Sequence, residues 1–195
     1  MRNEAIRSVI RAYDDPVVRA YCWGRFWILR QRFLDEIGQY LPARGRVLDL
    51  GCGFGLFSLY YASAHPDLTL EGFDRNARRI AMARAAAGRL RLGNVRYEVG
   101  DVMDFRGGER FDAAYMLDIV HHIPEDAVRP LLEQVAKTLP EGGRPPAIVV
   151  FEDTWRRPGY DRLDEFPAVT RVLTRDYHLA VDGDGYRIYA RRGRS

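Results

Sequence analysis

The stretch RVLDLGCGFGLFSLYYA, residues 46–62, decides the fold of this chain. RVLDLG is a short apolar run typical of a buried strand, and an apolar helix is predicted from about Gly55 to Ala64. Gly51, Gly53 and Gly55 separate the strand from the helix. Because glycine permits a positive φ and a close approach to the backbone, such a turn before a helix predicts a ligand site.

Strands and helices alternate on the C-terminal side of this turn. Four further strands are predicted over residues 68–74, 95–101, 111–118 and 147–153, and helices over 77–92, with Asn76 as cap, and 125–139. This alternation predicts an α/β fold, a doubly wound and mostly parallel sheet with helices on both faces. YHLAVDGDGYRIYARR, residues 177–192, predicts a C-terminal antiparallel hairpin around its Asp-Gly turn.

The chain is expected to form a single domain, since its 195 residues fit the usual size of one. Residues 1–41 are predicted to be helical, with a restart at the Asp14–Pro16 cap signal, and residues 46–153 to form a ligand-binding core. Residues 154–195 are predicted to hold a further helix, near 163–173, and the hairpin.

Composition limits the classes of function. The net charge of +3 is spread along the chain, which argues against a nucleic-acid partner. Two cysteines, Cys22 and Cys52, provide neither a disulfide framework nor a paired metal spacing, so no metal is expected. The chain has no apolar signal core and no apolar run of membrane-spanning length. We therefore expect a cytoplasmic protein; the composition does not predict its oligomeric state.

The turn does not have the sequence of a phosphate-binding loop. The lysine and hydroxyl residue required after the last glycine are replaced by Leu56 and Phe57. The dinucleotide pattern G-x-G-x-x-G also fits poorly, because its third position falls on Leu56 and Gly55 comes one place early.

Three acidic residues at successive strand ends favour a nucleoside with a cationic group. Asp49 precedes the turn by two residues, where a carboxylate attracts an ammonium or sulfonium and repels a pyrophosphate. Asp74 ends the next strand and can accept hydrogen bonds from ribose hydroxyls, and Asp101 can accept one from an adenine amino group. The alternative for each residue is a cap of a helix or a turn.

The motifs together resemble class I S-adenosylmethionine-dependent methyltransferases over residues 46–153. They are VLDLGCGFG (47–55), LEGFDRN (70–76), GDVMDF (100–105), FDAAYMLDIVHHIP (111–124) and LPEGGRPPAIVVFED (139–153). The resemblance implies a seven-stranded sheet with an antiparallel last strand, and S-adenosyl-L-methionine as cofactor of the core. It also implies that residues 1–41 are a helical lid and that the helix in residues 154–195 lies on the acceptor side, where Trp155, Arg156 and Arg157 face either the acceptor or solvent. It places the methionine part at Gly51, Cys52, Gly53 and Gly55 with its amino group near Asp49, the ribose at Asp74 and Arg75, the adenine at Asp101 and Val102, and the methyl-donating side at Met116, Leu117 and Asp118.

The candidate catalytic residues follow the fourth strand. Asp118, His121 and His122 are candidates for a general base, and histidine suits this role because it titrates near neutrality. The alternative is that a histidine only orients the loop. The Asn-Pro-Pro-aromatic motif of many nucleobase methyltransferases is absent here, so the resemblance favours a small organic or lipid-like acceptor.

The aromatic residues of the N-terminal segment have three interpretations. Tyr13, Tyr21, Trp23, Phe26 and Trp27 form either a lid over the site or, with Arg19, Arg25, Arg30 and Arg32, an interfacial helix on anionic lipid. The third is a helix packed on the domain with its arginines in solvent. For the whole protein, the alternatives are an NAD(P)-dependent oxidoreductase and a nucleoside-binding homologue without activity.

Overall fold

The computed structural model describes residues 2–108, 110–140, 148–151, 177–183 and 186–191. The described helices are α1 (Arg2–Arg11), α2 (Pro16–Gly38), α3 (Leu56–Ala64), α4 (Ala77–Arg89) and α5 (Glu125–Lys137). The described strands are β1 (Gly45–Leu50), β2 (Leu68–Asp74), β3 (Val95–Val99), β4 (Ala113–Leu117), β5 (Ile148–Phe151), β6 (Tyr177–Gly183) and β7 (Tyr186–Arg191). Single-turn 3-10 helices span Val102–Asp104 and Val120–His122.

The strands form one sheet in the order β3–β2–β1–β4–β5–β7–β6. β1 pairs in parallel with β2 and β4, β2 with β3, and β4 with β5. β7 pairs antiparallel with β5 and with β6. The strand order reverses beside β1, so the carboxyl ends of β1 and β4 border the crevice where ligands bind in such sheets.

Apolar side chains cover both faces of the parallel strands. On one face, α1 to α4 pack on the sheet through a cluster that includes Val9, Leu59 and Ile80. On the other face, α5 packs through Val128 and Leu132 against a second cluster. The predicted α/β class, with a parallel sheet and helices on both faces, is confirmed.

Local sequence signals account for the N-terminal ends of α2 and α4. The Asp15 side chain accepts hydrogen bonds from the N–H groups of Val17 and Val18, and Pro16 begins α2. The Asn76 side chain caps α4 as predicted. Residues 2–41 form two helices separated at the cap signal, and α2 ends at Gly38. The predicted helix near 163–173 lies outside the described residues.

Within the described ranges, no helix is long and apolar enough to cross a membrane. Cys22 and Cys52 are both buried as free thiols.

Candidate functional site

A cavity of about 600 Å³ opens at the carboxyl ends of β1 to β4. Its wall combines acidic, basic and apolar side chains from the sheet with two side chains from α2. The lining residues that matter below are Tyr21, Arg25, Asp49, Gly51, Cys52, Gly53, Asp74, Arg75, Asp101, Val102, Leu117, Asp118, His122, Ile123 and Pro124. Most of the site residues predicted from sequence therefore meet in one cavity.

The glycine turn directs its N–H groups into the protein. The N–H groups of Gly51 and Cys52 donate to the carbonyl of Phe73 at 2.8 and 3.0 Å, and that of Gly55 donates to the carbonyl of Cys52 at 2.8 Å. The N–H of Gly53 donates to Asp74 Oδ2 at 2.9 Å. These four groups are consequently not available to a phosphate, in contrast to a phosphate-binding loop.

Positive φ angles make glycine necessary in this turn. Gly51 has φ 77°, and a Cβ there would collide with the Ile119 side chain, which follows β4. Gly55 also has φ 77°, and a Cβ there would collide with the Tyr97 hydroxyl. The turn is therefore packed between the loop after β4 and the side chain of Tyr97.

Asp49 is a carboxylate buried at the floor of the cavity. It is 2% exposed and accepts a hydrogen bond from Tyr115 Oη at 3.1 Å. The pKa of the Asp49 carboxyl is raised from 3.8 to about 7. Burial is the largest cause, the hydroxyls of Ser58 and Tyr115 act in the opposite direction, and the nearby Asp74 carboxylate adds to the rise. A buried carboxylate of this kind gains from a cationic ligand.

Asp74 and Asp101 have structural roles and also line the cavity. Asp74 Oδ1 accepts a hydrogen bond from the N–H of Asn76 at 2.8 Å, in addition to the bond from Gly53. Asp101 Oδ1 accepts one from the N–H of Met103 at 2.9 Å. The capping alternative is therefore correct for both residues, and since each carboxylate accepts several hydrogen bonds, both retain acceptor capacity toward a ligand.

Asp118 lies directly after β4 and forms a buried ion pair with Arg25 of α2. Its φ of 62° is left-handed, a conformation that aspartate tolerates better than most residues. Arg25 Nη2 lies 3.1 Å from Asp118 Oδ2, and the two side chains are only 5% and 6% exposed. The pair fastens the N-terminal helices to the end of the sheet inside the cavity wall.

The remaining predicted residues differ in their position. The side chain of Met116, which is predicted on the methyl-donating side, is fully buried in the cluster beneath α5 because β4 alternates its side chains between the two faces. Gly55 lies behind the cavity wall at the start of α3. His122 is exposed and lines the cavity, whereas the side chain of His121 lies outside the described part.

The aromatic residues of the N-terminal segment divide into three groups. Tyr13 and Phe26 are buried, and the Tyr13 hydroxyl donates to the carbonyl of Phe54 at 2.7 Å. Tyr21 lines the cavity with its ring centroid 5.6 Å from that of Phe54. Trp23 and Trp27 point outward, 60% and 69% exposed, with stacked rings 6.3 Å apart. No single interpretation of this segment therefore describes all five residues.

Sequence reasoning missed two residues of the site. The sequence patterns predict Tyr115 only as part of a strand, and Arg25 only as a residue that contacts lipid or solvent. Tyr115 lies beside Asp49 in the neighbouring strand because of the register of β1 and β4, which no local sequence pattern provides. No local pattern distinguishes Arg25 from the other arginines of α2.

Comparisons with known proteins relate the chain to methyltransferases. A family model described as a methyltransferase domain matches residues 47–143. Carboxy-S-adenosyl-L-methionine synthase of Campylobacter curvus is 29% identical over 162 residues, 78% of this chain and 67% of that protein. O-methyltransferase rstn1 of Aspergillus nomiae is 30% identical over 130 residues, 65% of this chain and 56% of that protein.

A solved structure shows the same fold. It is the S-adenosylmethionine-dependent methyltransferase SibL, with a TM-score of 0.63 and 19% identity over 91% of this chain and 58% of that one. The chain thus spans little more than half of the length of SibL and of the Aspergillus enzyme, and about two thirds of the synthase.

Proposed function

Since the chain belongs to the class I S-adenosylmethionine-dependent methyltransferases, we propose that it transfers a methyl group from S-adenosyl-L-methionine to a small organic or lipid-like acceptor. The donor supplies a methyl group on a positively charged sulfur. The protein supplies binding and orientation, which contribute much of the rate in a displacement at carbon.

The cavity residues suit the parts of this donor. Asp49 holds the ammonium of the donor's amino-acid end. Arg25 lines the same cavity and pairs with the carboxylate of that end. Asp74 and Arg75 hold the ribose, and Asp101 and Val102 hold the adenine. Gly51, Cys52 and Gly53 contact the methionine part through the backbone, and Leu117 and Asp118 border the methyl group.

One observation carries the choice of a cationic ligand over a pyrophosphate. The N–H groups of Gly51, Cys52, Gly53 and Gly55 all donate to protein acceptors, while the buried Asp49 carboxyl lies in the cavity wall. A pyrophosphate in this cavity would lie near a carboxylate and would receive no hydrogen bond from these four N–H groups. The repulsion between the two negative charges is unfavourable at short range. This arrangement argues against the NAD(P)-dependent oxidoreductase.

Calorimetry with S-adenosylhomocysteine, the demethylated donor, tests the site. Asp49→Asn removes the charge and nearly preserves the shape, so we expect binding at least about tenfold weaker, the size of a lost hydrogen bond to a charged group. The matched control is Asp67→Asn. Asp67 is exposed and precedes β2, at the amino ends of the strands, so this variant should bind as the wild type does. Binding of NAD in preference to S-adenosylhomocysteine would overturn the proposal.

An acceptor screen with labelled donor separates an enzyme from a homologue that only binds the nucleoside. We propose His122, with Asp118 and His121 as the other candidates, as the group that takes the acceptor proton, because His122 lines the cavity beside Ile123 and Pro124. His122→Ala should lower turnover with little change in donor affinity. Unchanged turnover in both His122→Ala and His121→Ala would eliminate a histidine base.

The exposed tryptophans favour the lipid-like class of acceptor. Trp23 and Trp27 stack on the outer side of α2, and Arg19 lies one turn before Trp23. Tryptophan with arginine is a combination suited to the surface of an anionic membrane. The Trp23→Ala/Trp27→Ala variant should lose flotation with vesicles of anionic phospholipid at low salt, and absence of flotation by the wild type would leave only small organic acceptors.

We also propose that residues 1–195 form one methyltransferase domain with a seven-stranded sheet. The proposal is supported by the antiparallel pairing of Val149 with Ala190 and of Val150 with Tyr189, which adds β7 and β6 to the parallel strands. In this proposal α1 and α2 are the lid, with Tyr21 and Arg25 as the side chains that reach the cavity. Limited proteolysis should yield one resistant core that includes the terminal strands.

A further inference from the structure

Four residues form a row across the parallel strands beneath the glycine turn. Asp49 of β1 is the register partner of Tyr115 in β4 on one side and of Gly72 in β2 on the other. Gly72 is in turn the partner of Tyr97 in β3. Because register partners in adjacent strands point to the same face, Tyr115, Asp49 and Tyr97 all project under α3.

Hydroxyl groups surround the Asp49 carboxyl in this row. Tyr115 Oη donates to Asp49 Oδ2 at 3.1 Å, and the Ser58 hydroxyl of α3 also lowers the pKa of this carboxyl. Ser58 Oγ also lies 3.0 Å from Tyr97 Oη, and Tyr97 donates to the carbonyl of Gly55 in the turn at 3.3 Å. The row therefore links the floor of the cavity to the backbone of the turn above it.

The surroundings of Asp49 contain hydroxyls and anions. Among the described residues, the titratable groups that interact with it are Asp74 of β2, Cys52 of the turn, Tyr61 of α3, Tyr97 of β3 and Tyr115 of β4. Tyr115 is fully buried, so its hydroxyl is shielded from water as well as directed at the carboxyl. A hydrogen bond to a charged acceptor is strong in such surroundings.

We propose that Tyr115 is a positioning residue for donor binding, whose hydroxyl fixes the Asp49 carboxylate toward the ammonium of the donor. The inference rests on the proposed function and adds to it a residue that does not line the cavity. Tyr115 acts through Asp49 alone. Its effect must therefore depend on whether the ligand carries the amino-acid ammonium, and on the ionisation of Asp49.

Tyr115→Phe tests this with calorimetry, because it removes only the hydroxyl. We expect the affinity for S-adenosylhomocysteine to fall about tenfold at neutral pH, as for a lost hydrogen bond to a charged group. The pH below which affinity declines should move upward, because Asp49 loses a hydrogen bond that favours its ionised form. Affinity for 5′-deoxy-5′-methylthioadenosine, which lacks the amino-acid end, should not change.

Tyr61→Phe is the matched control. Tyr61 is also fully buried, but its hydroxyl donates to the carbonyl of Leu34 at 2.9 Å and not to Asp49. This variant should keep the wild-type affinity and pH profile. Ser58→Ala removes the other hydroxyl that lowers the pKa of Asp49, so it should change the pH profile in the same direction as Tyr115→Phe. It provides a second measurement if Tyr115→Phe folds poorly.

The outcomes distinguish this inference from the function on which it rests. Suppose that the wild type binds S-adenosylhomocysteine and that Tyr115→Phe and Tyr61→Phe have the same affinity for it at every pH. The inference is then wrong and the proposed function stands. Equal losses for the two ligands would also overturn it, since a general distortion of the site would then be the cause. If the wild type binds neither ligand, both fail.

Discussion

The Asp49 carboxyl is almost completely buried, and burial raises its pKa from 3.8 to about 7. Between these values the folded state binds a proton that the unfolded state has released. The contribution of Asp49 to stability is therefore fully present below about pH 4 and is lost as the pH rises toward about 7. The same ionisation creates the charge that a cationic ligand needs, so binding and stability are opposed at this residue.

This opposition predicts that Asp49→Asn stabilises the protein without ligand while weakening donor binding. The free energy of unfolding of the variant should exceed that of the wild type at about pH 8, and the difference should shrink at about pH 5, where the wild-type carboxyl is protonated. Chemical denaturation at the two pH values measures this. A variant that is less stable than the wild type at the higher pH would contradict it.

At the scale of secondary-structure elements, the row of Tyr115, Asp49, Gly72 and Tyr97 depends on close packing around β2. A Cβ at Gly72 would lie 2.7 Å from Tyr97 Cδ1 and 2.9 Å from Cys52 Sγ. The ring of Tyr97 is held by hydrogen bonds to Ser58 and Gly55, so it cannot yield without disturbing the turn. Glycine at this strand position is explained by the neighbouring side chains rather than by a backbone angle.

Gly72→Ala should therefore destabilise the fold by about 1–3 kcal/mol, the usual cost of overpacking in a core. Gly88→Ala, in α4 with no atom within 4 Å of its new Cβ, is the matched control. It should stabilise by about 0.5–1 kcal/mol, because alanine loses less conformational entropy in a helix. Thermal and urea denaturation should show that Gly72→Ala lowers the free energy of unfolding and that Gly88→Ala raises it. If Gly72→Ala left the free energy of unfolding unchanged, Tyr97 would have to move freely.

At the scale of the whole molecule, the Arg25–Asp118 ion pair joins the N-terminal helices to the sheet. α1 and α2 also pack through buried residues such as Val9, Phe33 and Ile37, so apolar burial and the ion pair both hold these helices on the sheet. Removing one partner leaves a buried charge with one fewer counter-charge. Breaking such a pair is more costly than replacing both members.

Arg25→Met should consequently destabilise the protein by about 3 kcal/mol, and Asp118→Asn by a comparable amount. Asparagine is chosen at 118 because it tolerates the left-handed backbone there. The double variant should cost clearly less than the two changes added together. A double-mutant cycle measured by urea denaturation checks this, and additive single effects would show that the pair is not coupled.

Much of the fold follows from patterns that are local in the chain. Alternating apolar runs, the cap residues Asp15 and Asn76, and the glycine turn set the elements of the core close to where the structure has them. The sequence also predicts that the acidic residues Asp49, Asp74 and Asp101 lie close together, because the carboxyl ends of parallel strands meet at the same edge of the sheet.

The sequence by itself therefore determined the strand–helix order, the glycine turn and the acidic residues at the strand ends. Tertiary structure alone decided that Tyr115 supports Asp49, that Arg25 reaches Asp118, that Met116 faces α5, and that Trp23 and Trp27 remain exposed. The physical reason is that strand register and helix rotation set these contacts. Both depend on the packing of distant segments, which no short stretch of sequence encodes.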